Sequence, residues 1–168
     1  SLRARSEDLR KVVRALGMLS EEPLTVGSDF ATQAIRHDPQ SQLAYLARAN
    51  SFMLSGDWLE FDRMMRYADD MEADPPIETY LRAMEALERY ANPVKSRELL
   101  RETLARRADF VRAQANLVLV NENVEQRYAE LQKLKAKSPY HIVVRLAGPM
   151  IEGEYQTVKE LEGVLGNE

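Results

Sequence analysis

Apolar residues recur at helical spacing along most of the chain. Between residues 6 and 19, Leu9, Val13 and Leu16 fall on one side of a helix, with charged residues between them. The pattern returns after each short segment that contains proline, glycine or adjacent acidic residues, which are the residues that end helices. Long runs of Val, Ile and Thr are scarce, so strands have little support. The pattern therefore predicts an all-helical chain of about ten helices of roughly 11–16 residues.

Prolines at helix ends set the predicted bounds. Pro39, Pro75 and Pro139 each close a predicted helix, and Pro23 stands where it can open one. Because the connections are short, consecutive helices are predicted to pair as antiparallel hairpins. The predicted segments, with their turn residues, are 6–19, 26–39, 41–56, 57–76, 77–93, 94–108, 109–123, 124–139, 140–153 and 154–166.

The chain also repeats itself at a shift of 66 residues. Such self-similarity, with a period near half that shift, is typical of proteins built from stacked helix hairpins. The pairs that keep their size or polarity class are Tyr45 with Val111, Ala49 with Ala115, Asn50 with Asn116, Phe52 with Val118, Met65 with Leu131 and Ala68 with Leu134.

Residues 41–75 carry the clearest copy of the repeat. A period of about 34 residues, a helix–turn–helix unit and a closing proline resemble the tetratricopeptide repeat (TPR) family. Met65 departs from that pattern, because the family usually has an aromatic residue there. The resemblance is carried by Tyr45-x2-Arg48-Ala49-x2-Phe52 on the first helix, Gly56-Asp57-Trp58 at the turn, and Ala68 before Pro75.

The resemblance implies a right-handed α-α superhelix, or solenoid, of about five TPR-like hairpins in a single domain over residues 1–168. One hairpin cannot bury its apolar face alone, so the stacking of repeats makes the core continuous. The predicted repeats span approximately residues 6–39, 40–75, 76–107, 108–139 and 140–168.

The resemblance also implies a binding groove, since the first helices of successive TPR units line a concave surface. The residue after the small one faces this groove, and here Asn50 and Asn116 hold that place. Where such a repeat holds a peptide's C-terminal carboxylate, the Asn often works with a cation one turn earlier. Arg112 stands at that position before Asn116, whereas Leu46 stands there before Asn50. The alternative is that both Asn side chains are solvated or form hydrogen bonds within the scaffold.

Charged residues of the intervening repeat face the same implied groove, and Arg145 of the following repeat is a further candidate cation. Arg can bind a carboxylate through two parallel hydrogen bonds, which suits this site. The full candidate surface for a peptide or protein partner is Asn50, Arg82, Glu85, Arg89, Arg112 and Asn116.

The composition of the chain argues against several classes of function. The chain of 168 residues has no cysteine, which excludes disulfides and thiolate chemistry, and a net charge of −4. An RNA-binding helical repeat needs a basic groove, so the acidic balance makes this alternative less favoured. The basic segment 133–137 falls at a predicted helix C-terminus, where cations interact favourably with the helix dipole.

Catalytic and metal signatures are weak in this sequence. His37 and His141 lack a second ligand at metal-binding spacing, and no nucleophile elbow, phosphate-binding loop or dinucleotide fingerprint occurs. His37 and His141 both fall at predicted helix ends and are interpreted as structural. We therefore expect no enzyme activity, no cofactor and no resident metal.

The expected function is a non-catalytic scaffold or adaptor that binds a peptide or protein segment in the groove. The alternative is a structural or oligomerisation module of a larger, envelope-associated protein, and a homo-oligomer belongs to that alternative. No run of residues reaches the roughly 18 apolar residues of a membrane span. The sequence is compatible with the cytoplasm and with a soluble domain of a bacterial envelope protein, and it does not choose between them.

Overall fold

A computed structural model of the chain describes residues 21–71 and 75–166. Regular structure in these residues consists of eight α-helices and contains no strand, which confirms the predicted all-helical class. The predicted helix over residues 6–19 lies outside the described residues. The helices are α1 (Glu21–His37), α2 (Gln42–Ser55), α3 (Trp58–Asp69), α4 (Pro75–Glu88), α5 (Pro93–Arg106), α6 (Val111–Val120), α7 (Val124–Lys137) and α8 (Ile142–Leu165).

The sequence prediction is wrong for the final repeat. The pattern predicts two helices over 140–153 and 154–166, but α8 is a single helix that runs through Pro149. Proline removes one helical hydrogen bond, and here it lies on an exposed side of the helix, where water can reach the carbonyl that is left. Polar bonds to α7 hold the helix on both sides of Gly153, through Glu152 and Glu154. These tertiary contacts outweigh the local breaking signal.

Side-chain caps start several helices where the sequence predicts turns. Asp57 accepts a hydrogen bond from the Glu60 amide at 3.2 Å, and Asn123 accepts one from the Gln126 amide at 2.9 Å. Gly56 ends α2 with a φ of 77°, a left-handed conformation that costs glycine little. The two capping residues are 66 positions apart, so the internal repeat extends to the helix starts.

The described residues form two compact units, residues 21–107 and residues 108–166. In the first unit α2 packs on α1 and α3, α4 packs on α5, and α2 also packs on α4. The largest fully buried side chains of this unit are Leu46, Phe61, Met65, Leu81 and Leu100. Burial of such side chains contributes about 1.5–3 kcal/mol each, so they hold the hairpins together.

The second unit consists of α6, α7 and α8, with α7 packed between the other two. Its core contains Ala115, Val118, Leu131, Leu134, Val143, Val144, Ala147 and Ile151. One charged group enters this unit's interior. The Arg127 side chain donates from Nε to the Asn121 carbonyl at 2.7 Å and pairs with Glu154.

The predicted 66-residue register is present in the burial pattern of both units. Ala49 and Ala115 are 0% and 4% exposed, as expected of small residues where two helices approach closely. Met65 and Leu131 are also buried at equivalent places. Each unit thus contains the same three-helix order, α2–α3–α4 in the first and α6–α7–α8 in the second. The single domain of five repeats and its superhelical form stay predictions.

Candidate functional site

Arg89 binds Asp62 through both ends of its guanidinium. Nη1 lies 2.7 Å from Oδ1 and Nη2 lies 3.1 Å from Oδ2, which is the fork geometry that makes such pairs strong. The guanidinium carbon also lies 5.6 Å from the centre of the Trp58 ring, within cation–π range. Arg89, predicted to face a partner, therefore connects the end of α4 to the start of α3.

Glu85 lies between Arg82 of the same helix and Arg89, which follows the last residue of α4. Arg82 Nη1 is 3.3 Å from Glu85 Oε1, and Arg89 Nη1 is 3.5 Å from Oε2. Arg82 also reaches Asp69 of α3, with Nη2 3.5 Å from Oδ2. The structure thus brings the predicted residues Arg82, Glu85 and Arg89 together, and adds acidic partners from α3. We call the group of Asp62, Asp69, Glu78, Arg82, Glu85 and Arg89 the α3–α4 cluster.

The charges of the α3–α4 cluster are unequal, with four carboxyl groups and two guanidinium groups. The hydrogen bond from Arg89 lowers the pKa of Asp62, although desolvation by burial opposes this effect. Burial raises the pKa of Glu78, and its hydrogen bond to the neighbouring Asp69 carboxyl raises it further. Both guanidinium groups already have acidic partners, so an incoming carboxylate meets excess negative charge here.

Asn50 is half-buried on α2, and its side chain makes no hydrogen bond to any residue in the described ranges. The structure does not bring it into the α3–α4 cluster. Its repeat equivalent behaves differently. Asn116 Nδ2 donates to the Arg112 carbonyl of the same helix at 2.8 Å. This bond corresponds to the alternative in which the Asn side chain forms a hydrogen bond within the scaffold and not with a partner.

Arg112 has an exposed side chain and forms no ion pair with any residue that the structure describes. Its charge nevertheless acts on a neighbour that the sequence indicates as structural. The pKa of His141 is lowered, first by burial of the imidazole and then by the positive charge of Arg112. The guanidinium of Arg112 is therefore near enough to His141, the residue that precedes α8, for its charge to act on the imidazole.

His141 is the N-cap of α8. Its Nδ1 accepts a hydrogen bond from the Val143 amide at 3.2 Å, so the neutral ring carries its proton on Nε2. The N-terminal end of a helix carries partial positive charge and unpaired amides. We call Arg112, Asn116 and His141 the α6–α8 corner. The sequence signal that could have indicated His141 is its place at the start of the predicted helix 140–153, which opens the repeat after that of Arg112.

The basic segment at the end of α7 does not form a free cationic patch. Lys133 is 3.0 Å from Glu130, Lys135 is 2.8 Å from Glu152, and Lys137 donates to the Ala108 carbonyl. Each lysine therefore has its own acceptor within the second unit.

Neither a metal site nor a membrane span is found in the described ranges. No three His, Asp or Glu side chains converge to hold a metal ion in residues 21–71 and 75–166. Over the same ranges, none of the helices combines the length and the apolar character that crossing a membrane requires. In comparisons with known proteins, no family model, no curated protein and no solved structure matches the chain.

Proposed function

We propose that this chain is a non-catalytic scaffold that binds a segment of a protein or peptide, and that the α6–α8 corner takes an acidic group of that segment. The supporting observation is the exposed Arg112, whose charge acts on His141 at the N-cap of α8 and which has no acidic partner among the described residues. The arginines of the α3–α4 cluster differ, because both are paired with carboxylates.

The chemistry of the corner suits a carboxylate. Arg112 offers a planar guanidinium, His141 offers Nε2–H, and the first turn of α8 offers a favourable dipole. A charge-assisted hydrogen bond of this kind contributes about 1.5–3 kcal/mol. The partner that fits is a segment with an acidic side chain or a free C-terminal carboxylate.

The arrangement of helices supports a binding role. Within the first unit α2 packs on α4 as well as on its neighbours in sequence, as first helices of consecutive hairpins do in repeat proteins. The tetratricopeptide resemblance of residues 41–75 implies such a scaffold. In this proposal the side chains of the α6–α8 corner recognise the acidic group of the bound segment.

A peptide array tests this proposal directly. Wild-type protein is compared with Arg112→Glu on peptides that carry acidic, neutral or basic residues, each with a free or an amidated C-terminus. Arg63→Glu is the matched control, because Arg63 is also an exposed helical arginine. We expect acidic or free-carboxylate peptides to bind wild type and the control, and to lose about tenfold or more in affinity for Arg112→Glu.

Two results would count against the proposal. If the three proteins bind the same peptides equally, Arg112 plays no part in recognition. If basic peptides bind preferentially, the excess carboxylates of the α3–α4 cluster form the site instead. Circular dichroism of each variant ensures that differences in binding do not come from loss of structure.

A structural or assembly role is the second candidate function. One observation on α8 favours it: the side of this helix that faces away from α7 carries exposed apolar residues at both ends, Ile142 and Leu146 at one and Val164 at the other.

A further inference from the structure

Helix α8 carries apolar residues on two different sides. Val143, Ala147 and Ile151 are buried in the core with α7. A second set of positions, at steps of three or four residues, follows the exposed side of the helix. We call this set the α8 stripe: Ile142, Leu146, Pro149, Gly153, Thr157, Glu160 and Val164.

The two ends of the α8 stripe carry the large apolar residues. Ile142 and Leu146 are 42% and 41% exposed at one end, and Val164 is 64% exposed at the other. Leu161 lies beside the second end and is 58% exposed. Isolated exposed apolar residues are common, but two groups of them at the two ends of one side of a helix indicate a surface that another molecule covers.

The middle of the stripe is small. Pro149 and Gly153 present little volume, and a Cβ atom added at Gly153 would meet nothing within 4 Å. The Thr157 hydroxyl donates to the Gly153 carbonyl at 2.9 Å, so its hydrogen-bonding need is met within the helix. Small residues at a crossing point allow two helices to approach to about 8–10 Å.

The internal repeat shows what covers the equivalent side of α4. Shifted by 66 residues, Pro149 and Gly153 correspond to Ala83 and Leu87, which are 0% and 7% exposed. One turn before Ala83, the Thr79 hydroxyl accepts a hydrogen bond at 3.5 Å from Arg106 at the end of α5. A helix therefore packs on that side in the first unit.

The second unit has no counterpart of α5 among residues 108–166. The first unit turns after Glu88 and begins α5 at Pro93, whereas α8 continues without a turn to Leu165. The stripe is therefore longer than the side that α5 covers on α4, and it offers a helix-binding surface of about 35 Å at 1.5 Å per residue.

We propose that the α8 stripe binds the same stripe of a second copy of this chain, with the two α8 helices antiparallel and their two-fold axis at Gly153. The stripe is symmetric in sequence about this residue. Ile142 and Val164 each lie 11 positions away, and Pro149 and Thr157 each lie 4 positions away. Antiparallel pairing about Gly153 thus places Ile142 of one copy opposite Val164 of the other, Leu146 opposite Glu160, and the small centres at the crossing.

Charge favours this occupant as well. Antiparallel pairing about Gly153 brings Arg145 of one copy beside Glu160 of the other. Neither side chain forms an ion pair with a described residue; the Glu160 carboxylate accepts only a hydrogen bond from Gln156 at 3.2 Å. A two-fold axis repeats the pair twice, since an interface of this symmetry uses the same patch on both copies.

Cross-linking at the axis tests the geometry, and the absence of cysteine makes it simple. Gly153→Cys places two thiols next to each other in the proposed dimer, so mild oxidation should give a covalent dimer. Gly163→Cys is the matched control, an exposed glycine of the same helix. In the proposed pairing its two copies stand about 30 Å apart, too far for a disulfide.

Exchanging the charges of Arg145 and Glu160 tests whether the molecule that binds the α8 stripe is a second copy of the chain. Arg145→Glu and Glu160→Arg each place like charges together and should weaken dimerisation about tenfold or more in sedimentation experiments. The double variant restores opposite charges and should restore the dimer. Within one chain these residues lie about 22 Å apart along the helix, so only a second copy can produce the rescue.

The proposal is overturned if wild type sediments as a monomer at all concentrations, or if Gly153→Cys and Gly163→Cys cross-link equally. Failure of the double variant to rescue overturns the antiparallel pairing. These results do not depend on the peptide array, so the dimer proposal and the peptide-binding proposal are tested separately.

Discussion

Arg127 and Glu154 form an ion pair that is almost entirely buried between α7 and α8. Their side chains are 8% and 12% exposed, and Nη1 lies 3.2 Å from Oε2. The second donor of Arg127, Nε, is used by the Asn121 carbonyl at 2.7 Å. Removing one partner of such a pair leaves an uncompensated buried charge, which is far more costly than loss of an exposed pair.

We therefore expect Arg127→Met to lower the free energy of unfolding by about 3–5 kcal/mol. Urea denaturation measures this change. Lys135→Met is the control, because Lys135 and Glu152 join the same two helices at 2.8 Å but are 48% and 38% exposed. Its loss should cost less than about 1 kcal/mol. Equal costs for the two variants would show that burial does not set the strength of these pairs.

Small residues at helix contacts are expected to tolerate no enlargement. Ala49 is 0% exposed, so Ala49→Leu should destabilise the chain by about 1–3 kcal/mol through overpacking. Ala105→Leu is the control, since Ala105 is exposed on α5 and Leu is nearly as good a helix former as Ala. Thermal unfolding of the two variants gives the comparison. A neutral result for Ala49→Leu would mean that the hairpin contact has spare room.

Glu78 is expected to oppose folding at neutral pH. Its pKa is raised in the folded chain by burial and by the Asp69 carboxyl, so the folded state favours the protonated form. The stability that this group contributes is present below its ordinary pKa and is lost as the pH rises through the folded value. Glu78→Gln should therefore unfold at a higher temperature than wild type at pH 7, with little advantage at pH 4. A variant less stable than wild type at pH 7 would contradict this expectation.

His141 is expected to make the second unit weaken in mild acid. Its pKa is lowered from 6.5 by burial and by Arg112, so the folded chain favours the neutral ring. This stability is present above pH 6.5 and is lost as the pH falls through the folded pKa. Protonation of Nδ1 also removes the cap of α8.

The substitution His141→Asn keeps a capping acceptor without titrating in this range, and should flatten the pH dependence of stability below pH 6.5. The control His37→Asn removes the other histidine of the chain and shows whether the change in slope is specific to His141. Stability is measured by urea denaturation from pH 5 to pH 7.5. An unchanged slope in His141→Asn would assign the acid sensitivity to another group.

The helices themselves are predictable from the sequence because each depends on local signals. Apolar spacing and caps such as Asp57 act within one or two turns, and the 66-residue shift in the sequence aligns α2 and α3 with α6 and α7. The end of the chain is not predictable in this way. Gly148, Pro149 and Gly153 signal a break, and the contacts with α7 that override it come from residues about 17–27 positions away.

The candidate site is predictable only in part for the same reason. Spacing alone places Arg82, Glu85 and Arg89 on one side of a helix. It does not indicate Asp62 and Asp69, because these carboxylates come within reach of the two arginines only in the folded first unit. His141 is a similar case, since its closeness to Arg112 comes from the packing of the second unit.

Trp58 is the only tryptophan of the chain, and it lies in the first unit, in contact with Arg89 and edge-on to Phe61 at 5.4 Å. Indole fluorescence therefore reports on one unit alone, while circular dichroism averages over every helix. Denaturation curves recorded by the two signals will coincide if both units unfold together and will separate if they do not. The chain thus carries a built-in optical measure of its own folding cooperativity.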